Sequence, residues 1–202
     1  MDLTADISGH EQVFLDLEFQ ASAPYTSFVF SSPEQAREVR QYLLEKKLCE
    51  FSPPYGRLLC DAGQPLGMLA VLSGKELGGR RLKAAHALTR SDFLERDPGL
   101  GARLQLAGRT LLKLLPDDLY ISRVATVPAA RGRGIGTRLI QEAEREARGR
   151  GCHRLVLEVS PTSTAAVQLY QRTGFEQIDS KQVVDPLTQR SLHYLHLVKH
   201  LG

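Results

Sequence analysis

The stretch RGRGIGTRL, residues 131–139, alternates glycine with other residues and carries several arginines, a composition suited to holding an anion. Glycine lets the backbone approach a ligand closely or adopt a positive φ, and arginine supplies a fork of N–H donors for phosphate or carboxylate. A helix is expected to begin near Ile135, so its unpaired N–H groups and the positive end of its dipole would face the same ligand. The stretch therefore predicts that main-chain groups bind phosphate.

Other interpretations of this glycine-rich loop differ in the spacing they need. A Walker phosphate loop ends in Gly-Lys followed by Ser or Thr, and no lysine is present here. A dinucleotide fingerprint needs a third glycine where Thr137 stands, yet Glu158 lies at a suitable distance for the ribose acid, so this interpretation stays open. A purely structural turn would cost about 1 kcal/mol for each glycine relative to alanine in a helical turn. The balance favours a functional loop.

Two residues further along the chain could transfer protons. Tyr170 lies in STAAVQLYQRTG, a short predicted helix, where a phenol can act as a general acid. Considered alone, the apolar stripe of Ala166, Leu169 and Tyr170 favours a core position instead. Glu158 lies in the predicted strand HRLVLEVS, opposite in phase to its apolar neighbours. Its carboxylate is either a general base or, as the favoured interpretation, a solvated residue at the strand edge.

These residues must be positioned by alternating strands and helices over 118–200. DLYISRVATV predicts a strand over 118–127, and Pro128 weakens pairing because it cannot donate to a ladder. TRLIQEAEREARGRG predicts an amphipathic helix after the glycine-rich loop. A buried strand, a short helix closed by Gly174 and two more strands follow.

The first half of the chain is predicted to hold a helix, a hairpin and a helical stretch. FVF has the composition of a strand, and the helix after it begins at Ser32 as N-cap and runs to about Leu48. RLLCDAGQPLGMLAVLSG predicts two strands joined by a turn at 62–65. Residues 75–117 predict two helices, separated by a Pro-Gly pair.

Two motifs in this order resemble the signatures of the GNAT superfamily of N-acetyltransferases. VATVPAARGRGIGTRLI is similar to the acetyl-CoA signature of that superfamily, matching it at Arg131, Gly134 and Gly136. LVLEVSPTSTAAVQLYQRTGF is similar to the second signature, and the matching positions are Ala166, Leu169, Tyr170, Gly174 and Phe175. The resemblance covers residues 118–200, and more weakly 25–74.

The resemblance implies an α/β layered fold. Its mixed central sheet would have six or seven strands, including a splayed pair of parallel strands, with helices on both faces. Residues 1–202 would form a single acetyltransferase domain, of which 118–200 are the coenzyme-binding and catalytic half. Residues 75–117 would be a helical insertion before the signature strand, walling the acceptor pocket.

The resemblance also implies acetyl-CoA as co-substrate, without a metal. The pantetheine arm would enter the gap beside Ala125, Thr126 and Val127, and an N–H near Val127 would stabilise the oxyanion. Ser163 replaces an asparagine common in the superfamily, so it is predicted mainly to cap its helix, with a doubtful coenzyme contact. The pyrophosphate would rest on the opening of the next helix, at Arg131, Gly132, Arg133, Gly134, Ile135, Gly136 and Thr137.

The implied reaction is direct attack of an amine on the thioester in a ternary complex. Tyr170 would protonate the departing thiolate, and Glu158 is the candidate base, as in the ribosomal-protein alanine acetyltransferases, which share LEV before the Leu-Tyr pair. The acceptor would be a small-molecule amine or a peptide or protein amine. The insertion contains five arginines that could bind a carboxylate on that acceptor: Arg80, Arg81, Arg90, Arg103 and Arg109. Arginines are also common on exposed helix faces, so these residues need no such role.

Charge and cysteine content narrow the partners and functions that the sequence allows. The 26 Lys and Arg against 23 Asp and Glu give a net charge of +3, too small to indicate a nucleic-acid or membrane partner. The three cysteines, Cys49, Cys60 and Cys152, lack metal-ligand spacing and are expected to be reduced packing residues, which indicates a cytoplasmic protein. The protein is expected to be a monomer or homodimer. The rival functions are a non-catalytic acyl-CoA sensor and an adaptor that binds nucleic acid through arginines of 131–154.

Overall fold

The computed structural model describes residues 1–202, and a single seven-stranded sheet lies at its centre. The strands in chain order are β1 Asp2–Thr4, β2 Gly56–Asp61, β3 Gln64–Ser73, β4 Asp118–Thr126, β5 Arg154–Val159, β6 Glu176–Val184 and β7 Ser191–His200. They lie side by side as β1-β2-β3-β4-β5-β7-β6, and β4 with β5 is the parallel pair.

Helices cover both faces of this sheet. They are α1 Glu11–Ala21, α2 Ala23–Val29, α3 Pro33–Glu45, α4 Gly74–Thr89, α5 Phe93–Arg96, α6 Leu100–Gly108, α7 Ile135–Gly149 and α8 Thr164–Arg172. Alternate residues of β3 divide the core: Met68 and Ala70 pack with α1 to α6, while Leu69 and Val71 pack with α7 and α8. The predicted mixed sheet with helices on both faces is confirmed.

Three local predictions were wrong. The strand-like FVF ends helix α2, because a short apolar run that is buried on all sides has no periodicity to distinguish strand from helix. Helix α3 ends at Glu45 and not near Leu48, because Lys47 adopts a left-handed φ of 53° that closes the helix. The helical stretch before β4 holds three helices, since the short α5 lies between the two that were predicted.

The cysteines are packing residues, as predicted. Cys49 and Cys152 are buried, Cys60 is half-buried, and all three are free thiols. No helix combines the length and apolar character that crossing a bilayer demands.

Strands β4 and β5 form a fork. They pair only at Asp118 with Arg154, Leu119 with Leu155, and Tyr120 with Val156. An ion pair fastens the closed end, where Arg154 Nε and Nη2 lie 2.7 and 2.8 Å from the two oxygens of Asp118. Both strands continue past their last pair, to Thr126 and Val159, so the sheet opens there as the predicted splayed pair.

A β-bulge at Ser122 changes which side chains of β4 face the insertion. Tyr120 lies opposite Leu72 and Arg123 lies opposite Ala70, and these two β3 residues are two apart on one face. In a regular strand, residues three apart point to opposite faces. The extra residue at Ser122 therefore places Tyr120 and Arg123 on the same face.

Helix α7 packs against the sheet through the stripe that the sequence predicts. Ile135, Leu139, Ala143 and Ala147 are all buried. Arginines and glutamates occupy its outer side, where Arg145 is 65% exposed. This docking fixes the first turn of α7 beside the open end of the fork.

The orientation of α7 predicts that substitutions on its buried side destabilise the protein more than substitutions on its exposed side. Leu139→Ala should lower the free energy of unfolding by about 2–5 kcal/mol, because it removes fully buried methyl groups and leaves a cavity. Urea denaturation followed by circular dichroism measures the change. Arg145→Ala is the matched control on the exposed side and should change it by less than about 0.5 kcal/mol. Equal losses in the two variants would contradict this orientation of the helix.

Candidate active site

A cleft of about 1080 Å³ passes through the open end of the β4–β5 fork. On one side it is lined by the glycine-rich loop and by α8, and on the other by α1, α4 and the loop before β2. No group of three or more His, Cys, Asp or Glu side chains in the structure could hold a metal ion. The cleft thus joins the two faces of the sheet through the gap between two strands.

The glycine-rich loop presents bare main-chain donors to this cleft. Gly132 and Gly134 have φ of 72° and 78°, which side chains rarely tolerate, and nothing lies within 4 Å of where a Cβ would be. The N–H groups of residues 132–137 donate to no acceptor in the protein. The N–H of Arg131 was predicted to join them but donates to the carbonyl of Pro128, so the row of free donors begins at Gly132.

The third glycine of the loop has a different role. A Cβ on Gly136 would lie 2.9 Å from Cδ2 of Leu169, closer than real contacts allow. A side chain at Gly136 would therefore displace the end of the Leu169 side chain, which contacts the first turn of α7 here. Gly136, Leu169 and Tyr170 all line the cleft.

Of the two loop arginines, Arg131 lines the cleft and Arg133 does not. Arg131 and Arg133 are exposed, and neither forms an ion pair or a side-chain hydrogen bond in the structure. Thr137 is also exposed, whereas Ile135 is buried against the core and offers only its backbone. The charges of Arg131 and Arg133 add to the positive end of α7.

The end of β4 shows which N–H near Val127 faces the gap. The N–H of Val127 donates to the carbonyl of Leu66 at 3.0 Å and faces β3, away from the gap. Because hydrogen-bonded and non-hydrogen-bonded pairs alternate in an antiparallel ladder, Thr126, opposite Gly67, directs its N–H toward the gap. Gln20 Nε2 lies 3.4 Å from the carbonyl oxygen of Thr126, and Ala125 is buried on the α1 face of β4.

Tyr170 lies at the cleft with its ring in the core. The side chain is 7% exposed, and its ring packs edge-on against Phe175 at 5.5 Å between centroids. No group in the protein hydrogen-bonds to the hydroxyl, and burial alone raises the pKa of Tyr170 above its ordinary value. The phenol is therefore protonated at neutral pH, and its proton is available to a molecule in the cleft.

Ser163 does not cap its helix as predicted. It precedes α8, but its side chain accepts no hydrogen bond from the first turn, and its ψ of 60° is not the extended geometry of a capping residue. Its side chain lines the cleft instead. The backbone carbonyl of Ser163 still accepts bonds from Ala166 and Val167, which begins the helix.

Glu158 is not the solvated strand-edge residue that the sequence favoured. Its Oε1 accepts from the N–H of Leu112 at 2.6 Å, and its Oε2 accepts from the hydroxyl of Tyr120 across the fork. Burial raises the pKa of Glu158 above its ordinary value, although these two hydrogen bonds oppose the shift. Glu158 is thus a partly buried carboxylate that takes up a proton more readily than a free one.

The residues around Glu158 tie the end of the insertion to the sheet. His196 lies directly opposite Glu158 in the β5–β7 ladder, and its Nε2 is 2.7 Å from the carbonyl oxygen of Thr110. Leu112 is held by Glu158 itself. Two neighbouring contacts on the sheet therefore fix the chain after α6.

Sequence reasoning missed a buried network of charges next to the cleft. Glu18, fully buried, pairs with Arg40 and lies 2.9 Å from Arg123 Nε. Arg123 Nη1 lies 3.1 Å from Glu50, and Arg81 Nε lies 3.2 Å from the other oxygen of Glu50. The one signal in the sequence was a charged residue, Arg123, inside an otherwise buried strand.

The arginines of the insertion divide into three kinds. Arg80 and Arg81 line the cleft, as the predicted wall of an acceptor pocket requires. Arg103 is buried and binds Asp97 and the carbonyl of Val29, away from the cleft. Arg90 and Arg109 are exposed and lie outside the cleft lining.

The cleft brings together groups from opposite faces of the sheet. Glu158, like its strand neighbour Val156, lies on the insertion face, whereas Tyr170 packs with the α7 and α8 side of the core. Both line the same cleft because the fork opens between them. A molecule bound at the glycine-rich loop can therefore meet a second molecule that enters from the insertion side.

Comparisons with known proteins agree with this architecture. Residues 23–175 match the sequence model described as "Acetyltransferase (GNAT) family". The aminoglycoside N(6')-acetyltransferase type 1 of Klebsiella aerogenes is 36% identical over 68 residues, covering 31% of this chain and 45% of that protein. The chain matches less than half of the length of the curated relatives that it resembles.

Solved structures share the fold at low sequence identity. An N-acetyltransferase from Staphylococcus aureus Mu50 superposes with a TM-score of 0.70 at 17% identity, covering 98% of this chain and 100% of that one. An acetyltransferase from Bacillus subtilis, solved in complex with CoA, gives 0.54 at 14% identity, covering 100% and 97%. These likenesses establish the fold.

The contacts of Glu158 predict how its pKa differs from that of an exposed glutamate and how it responds to substitution of Tyr120. Its pKa, followed by ¹³C NMR of the side-chain carboxyl, should lie above that of an exposed glutamate in the same protein. Tyr120→Phe should raise it further, because the hydroxyl that stabilises the charged carboxylate is lost. Tyr42→Phe, whose hydroxyl bonds to the carbonyl of Ala87, is the matched control and should leave it unchanged. A lowered value in Tyr120→Phe would contradict the described contact.

Proposed function

Because the chain belongs to the GNAT family of acetyltransferases, we propose that it transfers the acetyl group of acetyl-CoA to a primary amine. The observation that carries the proposal is the cleft through the β4–β5 fork, which joins free main-chain donors to Tyr170 and Glu158. We treat residues 1–202 as one acetyltransferase domain, since one continuous sheet unites its two halves.

The coenzyme's pyrophosphate binds at the start of α7. Six consecutive N–H groups, from Gly132 to Thr137, lack protein acceptors, and a helix N-terminus adds partial positive charge. Arg131, which lines the cleft, binds the phosphates, and Arg133 adds positive charge from outside the lining. This arrangement uses the backbone as the main donor, which explains why glycine is required at positions of positive φ.

The pantetheine arm enters the fork and pairs with the free edge of β4. The groups that face the gap belong to Thr126, since Val127 is already bonded to Leu66. The N–H of Thr126 then polarises the thioester carbonyl and stabilises the oxyanion formed on attack. Ser163 contributes a hydroxyl from the other wall of the cleft.

Tyr170 and Glu158 move the protons of the reaction. Glu158 takes one proton from the incoming ammonium, directly or through water, and the neutral nitrogen attacks the carbonyl carbon. The carbon–sulfur bond breaks, its electron pair leaves on sulfur, and Tyr170 protonates the thiolate. The nitrogen loses its second proton, which restores the tyrosine. The products are the amide, the CoA thiol and one released proton.

Substituting Tyr170 tests the general acid. Tyr170→Phe should lower kcat about 10²- to 10⁴-fold, with the affinity for coenzyme A unchanged, because the ring packing remains and only the free hydroxyl is lost. Release of free thiol from acetyl-CoA over a panel of amines measures kcat, and Tyr42→Phe is the control. Undiminished turnover in Tyr170→Phe would remove the assigned role. A coenzyme-induced thermal shift without transfer to any amine would favour the acyl-CoA sensor instead.

Substituting Gly134 tests whether the glycine-rich loop binds the coenzyme. Gly134→Ala should weaken coenzyme A binding about tenfold, since the left-handed conformation costs a side chain about 1–2 kcal/mol and the loop must shift to relieve it. Isothermal titration calorimetry with coenzyme A measures the affinity. Gly149→Ala, at the far end of the same helix in open space, is the matched control and should bind normally. Equal binding by both variants would exclude the loop as the phosphate site.

A further inference from the structure

The insertion side of the cleft has more hydrogen-bond donors than acceptors. Both oxygens of Glu50 are occupied, one by Arg123 and one by Arg81. The two terminal nitrogens of Arg81 and Nη2 of Arg123 donate to no group in the protein. Both residues line the cleft, and these nitrogens are not among the fully buried atoms that lack partners. Donors on two arginines therefore remain for a bound molecule.

The charges of the network leave one positive charge over. It joins the arginines Arg40, Arg81 and Arg123 to the glutamates Glu18 and Glu50. Burial opposes the ionisation of Glu50, but the two neighbouring arginines outweigh it and hold the pKa of Glu50 below its ordinary value. Glu158 is close enough for its charge to act on Arg81, so a molecule that brings a carboxylate to the arginines and an ammonium to Glu158 balances the charges of the site.

This excess charge lies next to the proposed proton acceptor. The guanidinium of Arg81 lies 5.6 Å from the centre of the Tyr120 ring, and the hydroxyl of that ring donates to Glu158. The group that would bind an anion and the group that would accept a proton are thus separated by one aromatic ring. An acceptor that fits both must carry its anionic group close to its amine.

The wall beyond the arginines is apolar. Helix α4 contributes Ala84, Ala85 and Leu88 to the cleft, and the chain around α6 contributes Leu104 and Leu111. These side chains offer no hydrogen bonds. They suit a hydrocarbon substituent of the acceptor.

We infer that the acceptor is an amine that carries a carboxylate beside it, as an α-amino acid with an apolar side chain does, and that Arg81 and Arg123 bind this carboxylate. The inference rests on the proposed acetyl transfer at the same cleft. The carboxylate forms charge-assisted bonds with the free guanidinium nitrogens, the amine lies toward Glu158, and the side chain contacts α4. Arg81 determines specificity and takes no part in proton transfer.

Matched pairs of acceptors test the inference. Thiol release from acetyl-CoA is measured with L-leucine, L-phenylalanine and L-methionine, each beside its α-amide, and with the polycationic amine kanamycin. The free acids should be acetylated with a kcat/KM at least about tenfold above that of their amides, because the amides cannot form charged pairs with the arginines. Kanamycin should not be a substrate.

Variants of Arg81 separate this role from general damage. Arg81→Met should lower kcat/KM for the acids about 10- to 100-fold more than for the amides, mainly through KM. Arg81→Lys should restore part of the preference, since it keeps the charge but not the fork. Arg90→Met, exposed at the end of the same helix and outside the cleft, is the matched control. A coenzyme-induced thermal shift confirms that each variant is folded.

The outcomes distinguish this inference from the proposed function. Amides acetylated as well as acids, preference for kanamycin, or equal losses for acids and amides in Arg81→Met would each overturn the carboxylate site while leaving acetyl transfer intact. A thermal shift with acetyl-CoA but no transfer to any free acid would also overturn it. No thermal shift with acetyl-CoA would overturn the proposed function itself.

Discussion

The separation of β4 from β5 is the constraint on which the rest of the structure depends. Three residue pairs and the Asp118–Arg154 ion pair hold the strands together at one end, and beyond Tyr120 the ladder stops. Unpaired strand edges inside a sheet cost free energy unless something occupies them. The gap is useful because the helix after β4 starts at the same place and points its free N–H groups there. The proposed coenzyme, a strand-like arm with a diphosphate at its end, would satisfy both sets of groups at once.

The bulge at Ser122 determines which side chains of β4 face the insertion side of the cleft. It puts Tyr120 and Arg123 on one face, where the first positions Glu158 and the second links Glu18 to Glu50. Charges buried in this way are costly unless each is paired, and removing one partner of such a pair is strongly destabilising. The network is therefore rigid, and the guanidinium groups at its edge are held in place before any acceptor arrives. The inferred selection between acceptors by Arg81 depends on this placement.

The sequence predicted the local features of the site better than its long-range ones. The glycine-rich loop, the buried stripe of α7 and the forked strands follow from short motifs and were confirmed in the structure. The N–H groups of Arg131 and Val127 are occupied by Pro128 and Leu66, contacts that depend on a short turn and on ladder register. Of the N–H groups near Val127, the one that faces the gap belongs to Thr126. The setting of Glu158 and the Arg81–Glu50–Arg123 network arise from contacts between distant segments and from a bulge, which strand alternation alone cannot reveal. The roles of Tyr170, Glu158 and the loop residues stay predictions.

Amide hydrogen exchange with and without acetyl-CoA reads the main-chain donors of the unaltered protein one by one. The account predicts that acetyl-CoA slows exchange at residues 132–137 and at Thr126, whose N–H groups are free in the structure. The N–H of Val127, already bonded to Leu66, should change little. Protection that appears elsewhere, with no change in the loop or at Thr126, would contradict a coenzyme held in the fork.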